Sequence, residues 1–345
     1  MMRKQFGGKA SKSDLEKYAR SNNWDGKKFV NLQTTNMNFS FSSLPKLLYK
    51  QFCEKEGREP KTKLPILPFE QAEFLKPSNE TKFIWYGHSA LLMRMNHQTI
   101  LIDPMLGPNA APISPFSVNR FSDNTLELAE DFPEINLLLL THDHYDHLDY
   151  ESIQRLKPKV KKYFVALGVA RHLIQWGIPS EDITEFDWWE HKTFAGIQIH
   201  FTPSRHFSGR GLADRAMTLW GGWVFQNGAE NLWFSGDGGY GDHFKEIGDK
   251  LGPFDFAFIE CGQYNENWHQ IHMYPEESVQ AGIDAQAQII MPVHWGSFSL
   301  AQHSWTEPVE RFITESERRN IRYLTPQKGR LVSMQALPVP IRWWD

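Results

Sequence analysis

Four side chains of metal-ligating type, His142, His144, Asp146 and His147, fall within six residues of one another directly after the apolar run Leu137 to Leu140. Imidazole and carboxylate are the ligands that zinc and similar divalent ions take. His142 and His144 are two apart, so on an extended segment both rings point to the same side and can share one ion. Asp146 and His147 come where the chain turns, which lets them face a second ion close by. A cluster this dense predicts a metal site that activates water, and therefore a hydrolase.

Three more candidates each follow a predicted strand. His206 comes after the strand 197–202, Asp237 after 232–234 by way of Ser235-Gly236, and His294 after 289–293. Strand ends along one edge of a layered fold can meet although they are far apart in the chain. Asp237 lies in Gly236-Asp237-Gly238-Gly239, where small neighbours permit a tight turn and close approach. The seven divide as His142, His144 and His206 on one ion, and Asp146, His147 and His294 on the other. Asp237 bridges, and room remains for a bridging water.

The elements that must hold these residues are read from periodicity. Strands are expected at 83–86, 90–95 and 99–102, with Asn96-His97 as a turn, then at 163–166, 197–202, 218–225, 232–234, 255–259 and 289–293. Helices are expected at 150–156, 169–176 and 275–285, the last with Pro275 in its first turn. Two strand-rich halves with outer helices predict an α/β, layered αββα sandwich. No sequence repeat marks an internal duplication.

The chain has 345 residues, 41% hydrophobic and 14% aromatic, enough for a sizeable core, and its 13 Trp exceed what such a core usually needs. Net charge is −4 but uneven, with residues 1–50 at +7 and the remainder at −11. Residues 1–80 read as a basic N-terminal extension packing on or near the core, and 81–345 as the catalytic domain. Within the extension Leu44, Leu47, Leu48 and Phe52 recur at helical spacing among Lys46, Lys50 and Lys55, a face suited to its own domain or to a membrane interface. Cys53 and Cys261 provide no disulfide framework. No run of 18 apolar residues spans a bilayer, and Met1 to Ala10 lacks the apolar middle of a signal peptide. A cytoplasmic or peripheral membrane location is expected. The acidic remainder suits nucleic acid poorly.

The pattern H-x-H-x-D-H, followed by a distant His, Asp and His in that order, resembles the metallo-β-lactamase superfamily. A narrower resemblance, to the N-acylphosphatidylethanolamine-hydrolysing phospholipase D family and its lactonase-like relatives, is carried by Trp85-Tyr86-Gly87-His88-Ser89, Ile102-Asp103-Pro104, Thr202-Pro203-Ser204-Arg205-His206, Leu219-Trp220-Gly221-Gly222-Trp223, Ser235-Gly236-Asp237-Gly238-Gly239-Tyr240 and His294-Trp295-Gly296-Ser297-Phe298. These stretches span roughly residues 80–330.

The resemblance implies a four-layer metallo-β-lactamase sandwich holding two Zn2+, with Mn2+ or Fe2+ as alternatives. It implies phospholipase D-type hydrolysis of N-acylphosphatidylethanolamine to N-acylethanolamine and phosphatidic acid by a metal-bridging hydroxide, oriented by Asp146. His272, ahead of Pro275-Glu276-Glu277, matches a family His and is the candidate for contacting phosphate or protonating the leaving alkoxide. His88 and Asp103 match positions that support ligands without binding metal. The expected partners are a phospholipid or small phosphodiester substrate, a peripheral membrane contact, no nucleic acid, and a second copy in a homodimer. A soluble substrate is the alternative, as a sugar-phosphate lactone, a cyclic nucleotide or a β-lactam. A di-iron redox protein on the same fold is another, disfavoured because such sites place Glu ligands before Asp146 or around His144, whereas His144 stands here in the pattern that suits zinc. Trp188-Trp189 and the tail at Trp343-Trp344 have apolar bodies that suit an acyl groove, although packing is the favoured reading.

Overall fold

The computed structural model describes residues 2–37, 49, 56–112, 117–211 and 213–345. The amphipathic stretch around Leu44 to Lys55, apart from Tyr49, lies outside the described residues, as does Cys53.

Fourteen described strands form two seven-stranded sheets. The first is ordered β14-β1-β2-β3-β4-β5-β6, with β1 Lys82–Trp85, β2 Leu91–Met95, β3 Gln98–Ile102, β4 Ile135–Leu140, β5 Val160–Ala166, β6 Ile183–Phe186 and β14 Leu331–Ser333. The second is ordered β13-β12-β11-β10-β9-β8-β7, with β7 His191–Phe194, β8 Ile197–Thr202, β9 Gly222–Gln226, β10 Asn231–Phe234, β11 Phe256–Glu260, β12 Ile289–Val293 and β13 Arg322–Tyr323. β1 to β6 pair successively as antiparallel, antiparallel, parallel, parallel, parallel. β8 to β13 repeat that series. The duplication that the sequence does not display is present in the pairing.

Alternation along the strands of the second sheet builds two cores. Trp223, Phe225, Leu232, Phe234, Phe256, Phe258, Met291 and Val293 face the first sheet, while Val224, Trp233, Ala257, Ile259 and Ile290 between them face outward. Across the sandwich Phe83 of β1 meets Phe256 and Phe258 with ring centroids 5.3 and 4.9 Å apart. The outward face is covered by the helices His243–Leu251, Pro275–Asp284 and Glu307–Arg318, through Phe244, Ile247, Val279 and Phe312. The helix Tyr150–Leu156 packs Ile153 and Leu156 into the main core. This is the αββα architecture.

Residues 218–221, expected as the start of a strand, are instead a crossing loop, and β9 begins at Gly222. A Cβ on Gly221 would stand 2.2 Å from the Thr202 carbonyl oxygen, and one on Gly236, itself at φ +64, would stand 2.2 Å from the Gly221 carbonyl. Three strand ends are therefore packed backbone to backbone beneath the site, with no space for side chains. β6, β7, β13 and β14 and the helices at 243–251 and 307–318 were not expected from periodicity.

The described part of residues 1–80 contributes Tyr18, Phe29 and Phe74 to the main core. Trp24 and Phe29 rings stand 5.0 Å apart beside Tyr18. Residues 28–37 then run along the strand ends that carry His206 and Trp220.

Candidate metal centre

All seven expected ligands project from the carboxyl ends of strands, or from the loops that leave them, on one edge of the sandwich. The chain leaves β4 extended, so His142 and His144 turn to the same side, with His142 Nε2 3.0 Å from His144 Nδ1. Asp143 between them turns the other way, towards His172 and the Gly209 amide. A tight turn follows, in which His147 and Leu148 donate to the His144 carbonyl. That turn brings Asp146 and His147 back over the same edge.

His206 Nε2 lies 3.2 Å from His144 Nδ1, completing a three-histidine group with His142. Asp237 Oδ2 lies 2.9 Å from His147 Nε2, 3.2 Å from His294 Nε2 and 3.9 Å from His142 Nε2, between the two groups. Asp146 Oδ2 stands 3.7 Å from His147 Nε2 and 4.0 Å from His294 Nε2.

The hydrogen bonds settle which ring nitrogens carry lone pairs. Thr141 Oγ1 donates to Asp103 and so accepts from His142 Nδ1 at 3.0 Å, leaving His142 Nε2 unprotonated. His206 Nδ1 donates to the Ile271 carbonyl at 2.9 Å, which leaves His206 Nε2 unprotonated as well. His147 Nδ1 donates to Asp103 at 2.8 Å, presenting Nε2 to Asp237. Burial and the neighbouring imidazoles hold His142, His206 and His294 well below the usual histidine pKa. Neutral rings whose lone pairs converge repel one another unless a cation stands among them, and this donor set fits a divalent metal. On His147 burial opposes charge, but Asp237, Asp146 and Asp103 override it and raise its pKa well above the usual value. Asp146 is held low against burial by His147 and by the His88 hydrogen bond. The carboxylates thus draw positive charge to one point, which a proton or a metal ion can supply.

Support for the ring arises on the same edge. Asp103 fixes both Thr141 and His147. His88 Nε2 lies 2.9 Å from Asp146 Oδ2. His88, Asp103 and His294 sit at φ +52, +42 and +66, left-handed conformations that a non-glycine residue holds only under constraint from its surroundings.

Two residues without a sequence signal complete the picture. Glu260, the last residue of β11 and wholly buried, lies 3.0 Å from His272 Nδ1 and accepts from the Met273 amide. Burial pushes Glu260 up to about 7, and its hydrogen bond and charge raise His272 against the effect of burial. His272 stacks on His294 at 5.3 Å and stands 5.0 Å from the His206 ring. Asn31 grips the His206 backbone from both sides, donating to its carbonyl at 2.8 Å and accepting from its amide at 3.0 Å. It also accepts from Trp220 Nε1.

A cavity of about 370 Å³ opens over Asp146, Asp237, His272 and His294, walled by Trp268 and Leu300 among others. A second, of about 640 Å³, adjoins it past Met37, Phe207, Arg215 and Ile271, and is lined by residues 28–37. Trp188 and Trp189 line neither cavity. Trp188 is buried and donates to the Trp220 carbonyl, and Trp189 lies under Lys250. Trp343 and Trp344 pack on Trp295, so their apolar bodies go into the fold and not into a groove. Among the described residues no helix is long and apolar enough to cross a membrane.

Residues 98–295 match a family described as the Beta-lactamase superfamily domain. An uncharacterized protein of Mycobacterium tuberculosis is 37% identical over 267 residues, which are 75% of this chain and 70% of that protein. The N-acyl-phosphatidylethanolamine-hydrolyzing phospholipase D 1 of Caenorhabditis elegans is 34% identical over 229 residues, 63% of this chain and 64% of that protein. Among solved structures Igni18, a metallo hydrolase from Ignicoccus hospitalis, superposes with a TM-score of 0.56 at 21% identity, covering 73% of this chain and 97% of that one.

Proposed function

Taking as premise that the chain belongs to the β-lactamase superfamily, and so is a metal-dependent hydrolase of the metallo-β-lactamase fold, we propose that it is a two-metal phosphodiesterase acting on a phospholipid of the N-acylphosphatidylethanolamine type. The observation that carries the reading is the position of Asp237 Oδ2 between two complete groups of ligating atoms. His142, His144 and His206 would hold one ion, and Asp146, His147 and His294 the other, with Asp237 between them. Divalent ions bound there lower the pKa of water and neutralise charge that develops on a phosphoryl group. The metal type is proposed as zinc, because nitrogen donors dominate.

The remaining steps belong to side chains of this chain. Asp146, anchored by His88, orients the attacking water. His272 protonates the leaving alkoxide from Nε2, while Glu260 holds Nδ1 and keeps the ring's pKa up, as a general acid near neutral pH requires. Trp268, Leu300 and Ile271 exclude water from one side of the cavity. The lipid assignment is supported by the 34% identical nematode phospholipase D and by the Trp-Gly-Gly-Trp and His-Trp-Gly-Ser-Phe segments. A soluble phosphodiester is the second reading, favoured by Gln33, Thr34, Thr35 and Asn36 on the wall of the larger cavity.

The test joins metal analysis to two substrates, a bis-aryl phosphodiester in solution and N-acylphosphatidylethanolamine in mixed micelles. About two zinc per chain and preference for the micellar lipid are expected. Cleavage of the soluble ester alone moves the substrate to the second reading, and iron with no hydrolysis overturns both. Asp146→Asn is expected to lower turnover at least about a hundredfold with the fold intact by circular dichroism. Near-normal turnover in that variant would remove Asp146 from the mechanism.

A further inference from the structure

The loop that follows His206 carries two arginines, a third immediately precedes that histidine, and their guanidinium groups have different fates. Arg205 is spent on the protein, donating to Thr34, Thr35, Tyr240 and Gln270. Arg210 is buried and donates to the carbonyls of Gln5, Asp143 and Leu148. Arg215 has no carboxylate among the described residues, and its one polar contact is a long one, 3.8 Å from Nη2 to Met37 Sδ. Its neighbour Asp214 is not free to neutralise it, because that carboxylate accepts from the Arg210 and Gly211 amides.

Position makes this unspent cation informative. The Arg215 guanidinium lies 3.9 Å from the centre of the Phe207 ring, and Phe207 in turn stands 4.5 Å from the ring of His144 and 5.0 Å from that of His206. Arg215 lines both cavities, so it stands on the wall they share. The backbone that carries it is tied down on both sides. Ala216 is held at φ +59, donates to the Ser208 carbonyl and accepts from the Phe29 amide, which ties the turn to both the histidine loop and the N-terminal segment. A planar fork of donors, without an acid partner among the described residues and beside the candidate metal centre, is an anion-recognition group.

We propose that Arg215 is a specificity-determining residue that binds a second anionic group, phosphate or carboxylate, carried by the substrate next to the phosphodiester opened at the metals. The inference rests on the phosphodiesterase reading. It concerns the soluble-substrate form of that reading, since N-acylphosphatidylethanolamine has its single negative charge on the phosphodiester itself, and it adds that the favoured soluble substrate carries a second anionic group.

The experiment uses the metal-loaded full-length chain and two simple probes, methylphosphonate with one anionic group and 3-phosphonopropionate with two, their binding measured by calorimetry. Wild type is expected to bind 3-phosphonopropionate about tenfold more tightly than methylphosphonate, the size of one charge-assisted contact at an exposed group. Arg215→Gln is expected to erase that advantage without changing methylphosphonate binding, and Arg215→Lys to keep part of it. Equal affinity of wild type for the two probes would overturn the assignment, as would an equal weakening of both by Arg215→Gln. Failure of wild type to bind either probe would overturn the phosphodiesterase reading itself, and the assignment with it.

Discussion

His147 is the residue at which the electrostatics of the site are most exposed to measurement. Three carboxylates, Asp237, Asp146 and Asp103, hold its ring charged well above the ordinary histidine pKa. Without a cation the site therefore keeps a proton on this ring at neutral pH, and a metal ion entering the site must expel it. Metal binding is expected to release about one proton from His147 near pH 7, and affinity to fall about tenfold per unit as pH drops below the raised pKa. Calorimetric titration of the metal-free protein in buffers of different ionisation enthalpy reads this directly. An observed enthalpy independent of buffer would show that the ring enters the reaction neutral. The seven candidate ligands could be picked out in the sequence because their types are chemically restricted and four of them cluster. Glu260 was not, since a lone acid at the end of Phe256-Ala257-Phe258-Ile259 has the spacing of any strand terminus. Only the pairing with His272 reveals it.

At the scale of elements, the N-terminal segment does more than pack near the core. Asn31 clamps the backbone of His206 and anchors Trp220, so residues 28–37 help set where a candidate metal-binding ring points. Asn31→Ala is expected to weaken metal binding about tenfold, in the range seen for groups that support a ligand from behind, with little loss of helix or sheet content. Metal stoichiometry after dialysis at graded chelator concentrations checks it, and unchanged retention would assign Asn31 to packing alone. No composition rule marks Asn31, which lies in a polar stretch without periodicity. The missed strands have a related cause. β7 and β13 are mostly exposed, and β6 is buried only at Phe186. They lack both the apolar alternation that made β8 readable and the near-continuous apolar runs of β2, β3 and β12.

At the scale of the whole molecule, the centre lies on the boundary between two sheets held by aromatic contacts such as Phe83 with Phe256 and Phe258, and Phe186 with Trp223. Ions that draw ligands from both sheets stabilise the folded state by their binding free energy, because the unfolded chain holds no such site. Chelation is expected to lower the melting temperature by several degrees, with recovery on adding zinc. A melting curve indifferent to chelator would mean that the ions are carried by one sheet and contribute nothing to holding the two together. The αββα layering itself was readable from alternation of strands and helices, whereas the matching pairing series of β1 to β6 and β8 to β13 was not, since hydrogen-bond order leaves no residue-level trace.

That matching series has a consequence for what each half can do by itself. His142, His144, Asp146 and His147 come from the loop after β4, in the first half. His206, Asp237 and His294 come from the second. Each proposed ion takes two ligands from the first half and, counting the shared Asp237, two from the second, so neither half owns a complete coordination sphere. Activity on this plan is a property of the seam. A chain cut between β6 and β7 would part the four candidate ligands of the first half from the three of the second, and the two pieces would have to rejoin before either proposed coordination sphere was whole.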